Sequence, residues 1–96
     1  LAYLAREGAR GYLYDEGYVF TAIKDDGLSL PPREEGIFSV FCLGPEAHGV
    51  SIRGAQYPLD RAPLSPFFPL GVSNHFQGQP VEIEVEDGCL LIGWER

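Results

Sequence analysis

The sequence contains no methionine, one tryptophan, two cysteines, two histidines and only seven lysines and arginines. Those seven bases face fourteen acids, for a net charge of −7. A nucleic-acid partner needs a basic surface that displaces counterions, so the charge argues against that class. The same deficit argues against this stretch holding a polyphosphate by itself. The two cysteines, Cys42 and Cys89, come with no secretory feature, so free thiols in a reducing cytoplasm are expected rather than a disulfide. His48 and His75 each fall in a predicted loop, and neither has a second histidine at ligand spacing, so no metal site is expected. No apolar run is long enough to span a membrane, and no signal peptide is visible. Ser39, Ser51, Ser65 and Ser73 lack a nucleophile elbow, and no glycine cluster precedes a lysine and a helix as a phosphate loop would. Catalytic machinery is therefore missing from view.

Helix-period patterning is also scarce. What is present instead is glycine (12) and proline (8), spaced between short apolar runs. That pattern in 96 residues predicts one all-β domain, a sandwich or barrel. Strands are expected over residues 10–14 and 18–24, joined by the three-residue loop Asp15-Glu16-Gly17. Asp25-Asp26-Gly27 is a turn, followed by the short apolar piece 28–30. Residues 37–43, IFSVFCL, are apolar on both faces and predict a central, fully buried strand. Residues 44–49 are expected to turn the chain. Residues 50–53 and 55–59 read as two strands, or one bent strand with a bulge at Gly54. Residues 60–69, DRAPLSPFFP, carry three prolines and cannot form a central strand. They read as a long binding loop in which Phe67 and Phe68 face a ligand or a partner. Residues 1–8, LAYLAREG, place Leu1, Leu4 and Ala5 on one helical face with Gly8 as a stop. Because the chain opens at Leu1 without Met, this reads as the end of a helix from an upstream domain of a longer protein.

The clearest pattern lies in residues 70–94. Val81, Ile83 and Val85 alternate with Glu82, Glu84 and Glu86, a period of two with one face buried and one wet. Asp87-Gly88 then suggests a two-residue hairpin turn. The expected register sets Val85 opposite Leu90, Ile83 opposite Ile92 and Val81 opposite Trp94. Trp94 is then core, and Cys89 falls on the glutamate-bearing outer face. Just upstream, Ser73-Asn74 admits two readings. Both residues bond local backbone readily and serve turns and caps; they also offer donors and acceptors that could face a heterocycle.

Several of these segments together resemble thiamine pyrophosphokinase. The strand pair over 11–23, IFSVFCLG, VSIRGAQYPL and GVSNHFQGQPVEIEVEDGCLLI follow that family's C-terminal thiamine-binding domain in order and spacing. The resemblance implies a jelly-roll-like β-sandwich over residues 10–96, with residues 1–9 a helix remnant of an absent α/β nucleotide domain. It implies a domain of an enzyme that transfers diphosphate from ATP to thiamine, with ATP and Mg²⁺ held by the absent domain. It implies a homodimer whose thiamine site is shared between subunits. Ser73 and Asn74, with Tyr57, are the thiamine contacts it implies, and no catalytic residue falls in this stretch. His75 departs from the family pattern, in which bacterial members more often carry an acid after Ser-Asn. An acidic, aromatic domain suits a permanently charged thiazolium through cation–π attraction. Two other readings compete: a cupin-like metal enzyme using His48 or His75, and a β interaction module that docks through Phe67 and Phe68.

Overall fold

The computed structural model describes residues 11–66 and 73–96, together with Ala5 and Gly8. Tyr12–Asp15 (β1) and Tyr18–Lys24 (β2) form the first hairpin. Asp15 pairs with Tyr18, so the loop is only Glu16-Gly17, one residue shorter than expected. Gly17 sits at φ 83°, which a glycine tolerates without strain. Gly27–Leu30 (β3) follows, then Ile37–Arg53 (β4), the longest element at 17 residues. Leu59–Leu64 (β5), Asn74–His75 (β6), Val81–Glu84 (β7) and Asp87–Glu95 (β8) complete the chain.

These strands make two antiparallel layers that share β4. One layer runs β1-β2-β8-β4-β6, the other β3-β7-β4-β5. The first half of β4 pairs with β8 and its second half with β7. The curled all-β sandwich expected from the sequence is therefore present. The crossing lies where a turn was expected, at residues 44–49. Instead of turning, the chain stays extended there and its register against β8 shifts between Leu43 and His48. Gly44 (φ 99°) and Gly49 (φ 67°) let the strand bend between layers without breaking.

The predicted β7–β8 hairpin is corrected. β8 is flanked by β2 and β4, and β7 by β3 and β4, so neither has a free edge for the other. The connection is an arch between layers. Its polar groups bond outward: Val85 N donates to Asp26 O (3.0 Å), Glu86 N to His48 O (3.1 Å), and Gly88 N to Asp25 Oδ1 (2.8 Å). The faces nevertheless fall as alternation requires. Val81, Ile83, Val85, Leu90 and Ile92 are all buried and join Phe38, Val40 and Ile52 in one core. Each such side chain contributes about 1.5–3 kcal/mol on burial. Trp94 packs half-buried on that core, but opposite Val19 and Phe38 rather than Val81. The glutamates stay wet, with Glu82 on Ser29, Glu84 on Arg53 and Glu86 on Arg61.

Four further expectations change. Residues 37–43 are central but not buried on both faces, since Phe38 and Val40 point inward while Ile37 and Phe41 are exposed. Residues 60–64, expected as part of a loop, belong to the strand Leu59–Leu64. It is an edge strand with two register shifts and Arg61 at φ 50°, a setting that accommodates Pro63. Past Gly54 the chain makes a single bridge, Ala55 to Phe76, rather than a strand. Cys89 does point away from the sandwich, but onto a different layer's outer face from the glutamates. There Ala5, Ala22 and Leu43 bury it. Neither cysteine forms a disulfide. The helix expected over residues 1–8 lies outside the described residues except for Ala5 and Gly8, where Gly8 N donates to Ala5 O. Phe67 and Phe68 also lie outside them.

Candidate functional site

The site is built where β6 ties the two ends of β4 together. On one side Ile37 pairs with His75 and Phe38 with Asn74. On the other, the segment just past β4 runs antiparallel to β6. Ala55 bridges Phe76, and Gln56 N donates to His75 O at 3.1 Å. The next rung is made by a side chain. Tyr57 N donates to Asn74 Oδ1 at 2.9 Å, and Asn74 Nδ2 donates back to Tyr57 O at 2.7 Å. Backbone pairing stops there because Ser73 adopts φ 59°, a left-handed conformation that turns the chain away.

The three residues singled out in the sequence thus meet, although Tyr57 lies 17 positions from Asn74. Their exposures differ. Tyr57 is 54% exposed and Ser73 is exposed, whereas Asn74 is only 1% exposed. The Tyr57 ring stands edge-on to His75, with centroids 6.3 Å apart. Ser73 N donates to Ser39 Oγ at 3.4 Å, a weak tie to β4. Beneath the turn, buried Phe76 packs on Phe38 at 5.1 Å, and the Arg33 guanidinium lies 5.2 Å from the Phe76 ring centre. Arg33 also donates to the Glu95 and Arg96 carbonyls, and Gly78 N donates to Arg33 O at 2.7 Å. The floor of the site is therefore tied to β8. Arg33 and Ser39 had no sequence signal: one sits in a polar loop, the other in an apolar strand, and only tertiary pairing brings them here.

Chemically the arrangement is a rigid polar turn under an exposed phenol and imidazole. It can orient a flat, cationic or hydrogen-bonding ring, and it shows no nucleophile–base pair. Burial first, then Cys89 and Glu46, push the Cys42 pKa up, which disfavours the nucleophilic thiolate. His48 lies 3.2 Å from Glu46 at the surface. Among the described residues no three His, Cys, Asp or Glu side chains could together hold a metal ion, so nothing favours the cupin-like reading. No described helix is long and apolar enough to cross a membrane.

This is a small all-β sandwich domain with a polar, aromatic-bearing turn at one end. The family described as "Thiamin pyrophosphokinase, vitamin B1 binding domain" matches residues 28–90, and the chain belongs to that family. Solved structures agree in fold. The thiamine pyrophosphokinase of Bacillus subtilis superposes with a TM-score of 0.87 at 15% identity, covering 97% of this chain and 44% of its own. The thiamin pyrophosphokinase of Geobacillus thermodenitrificans gives 0.79 at 16% identity, with 88% and 40% covered. A thiamin pyrophosphokinase family protein from Enterococcus faecalis gives 0.69 at 17%, with 88% and 39% covered. The chain thus spans less than half the length of these proteins. None of the curated proteins matches it.

Proposed function

We propose that this chain is the thiamine-holding part of a thiamine diphosphokinase, which transfers diphosphate from ATP to the hydroxyethyl group of thiamine. The observation that carries the reading is the meeting of Tyr57, Ser73 and Asn74 at one end of the sandwich, in a member of a vitamin B1 binding family. Tyr57 offers an aromatic face to the thiazolium, and attraction of a cation to such a face contributes about 0.5–2 kcal/mol. Ser73 offers an exposed hydroxyl to the aminopyrimidine. The net charge of −7 favours a cation at this surface. Residues 10–96 form the thiamine-binding unit in this reading, and residues 1–9 the end of a nucleotide domain.

ATP and Mg²⁺ do not fit the residues here. The described side chains offer no carboxylate or histidine set for a metal ion, and the chain has few bases for a triphosphate. Both are assigned to the nucleotide domain of the longer protein. What this chain contributes is positioning of the acceptor, one of the two main parts of catalysis in phosphoryl-type transfer, the other being charge stabilisation. The protein works in the cytoplasm as a homodimer, with thiamine held between the subunits. Two cysteines outside any disulfide accord with a reducing compartment.

Steady-state kinetics of the full-length protein test the reading. Tyr57→Ala is expected to raise the KM for thiamine at least fivefold, within the range of a lost cation–π contact, and to leave the KM for ATP within twofold. Equal changes in both constants, or none, contradict it.

A further inference from the structure

We propose that Asn74 is a positioning residue that acts through Tyr57 and does not itself touch thiamine; this rests on the thiamine reading above. Three observations point there. Asn74 is 1% exposed, so its amide faces protein rather than ligand. Its Oδ1 accepts from both Tyr57 N and His75 N, each at 2.9 Å, which uses both lone pairs. Its Nδ2 donates to Tyr57 O at 2.7 Å. A ligand reaching this amide oxygen would have to displace a buried backbone bond, which is costly.

The amide takes the place of a strand. Residues 55–57 pair with residues 76–74 through a bridge at Ala55, a backbone bond at Gln56, and then the Asn74 side chain at Tyr57. The left-handed Ser73 ends the backbone ladder one rung early, and the carboxamide supplies the missing donor and acceptor. Asparagine presents both groups at this length without depending on a protonation state. The consequence is an exposed aromatic ring whose backbone is fixed at both its N–H and its C=O. A ring on an unsupported turn would have to be ordered when ligand binds, at an entropic cost that this rung removes in advance.

A double-mutant cycle on the full-length protein tests this. Asn74→Asp keeps the shape and the acceptor, and at a pH high enough to ionise a carboxyl that burial keeps protonated longer it loses the donor to Tyr57 O. Thiamine titration should show roughly tenfold weaker binding. In a Tyr57→Ala background the same change should alter affinity less than twofold, since the ring it positions is gone. Additive effects, or no effect of Asn74→Asp alone, overturn the proposal. Backbone amide exchange is the ligand-independent arm: the Tyr57 amide should exchange at least tenfold faster in Asn74→Ala than in the wild type. Equal exchange overturns the clamp. If the wild-type protein takes up no thiamine, the functional reading fails, and the exchange result alone then decides whether Asn74 holds Tyr57. If Asn74→Ala does not fold, Asn74→Leu, which keeps the volume but has no acceptor for Tyr57 N, replaces it, with faster Tyr57 exchange again expected.

Discussion

Asp25 holds the arch between β7 and β8 from a turn in another part of the chain. It sits at φ 50°, accepts from Gly88 N through Oδ1, and meets Lys24 Nζ through Oδ2 at 2.9 Å. The Gly88 bond first, and Lys24 second, hold its carboxyl below the ordinary value of 3.8. Because that pKa is depressed in the folded state, the contribution to stability is complete above the unfolded value and is lost as pH falls through the folded one. Asp25→Asn should therefore melt lower than the wild type near neutral pH, and the gap should close below pH 3.8; a gap that stays constant with pH contradicts this. At the same scale, Ser73-Asn74 was legible as a polar turn because both side chains bond nearby backbone. That Asn74 would grip Tyr57 was not legible, since nothing local to either residue encodes a contact 17 positions away.

Strand faces could be read from the chain because a period of two fixes which residues share a side, whatever the strand pairs with. Hence Val81, Ile83, Val85, Leu90 and Ile92 are buried as expected. Strand partners could not. A tight turn followed by a second alternating run fits both a hairpin and an arch, and the choice depends on which other strands occupy the edges. Here β2 and β4 take those of β8, and β3 and β4 those of β7. Proline in residues 59–64 misled for a related reason: it excludes a central strand but not an edge one. The arch is checked by proton–proton contacts in solution. Close contacts are expected between Thr21 and Ile92 and between Val40 and Ile92, which are ladder partners. Ladder contacts between Ile83 and Ile92 would restore the hairpin and contradict the fold.

At the scale of the whole molecule, two surfaces among the described residues are compared as places for a ring. One is the end of the sandwich carrying Tyr57, Ser73 and His75. The other is a groove of about 210 Å³ on the outer face of the first layer, lined by Tyr18, Phe20, Ser39, Phe41 and Gly93. Gly93 leaves room there for the Phe20 ring, which a Cβ at that position would strike at 2.5 Å. The groove is almost wholly apolar, whereas thiamine carries a fixed charge and an aminopyrimidine that needs polar partners. The end carrying Tyr57 supplies both an aromatic ring and polar groups on a backbone fixed from two sides. The most direct test is to titrate thiamine into the isotope-labelled full-length protein and follow the backbone amide signals. The largest shifts are expected at Tyr57, Ser73 and His75, with Tyr18, Phe20 and Phe41 little moved. Shifts centred on those groove residues, with Tyr57 and Ser73 still, would contradict the account.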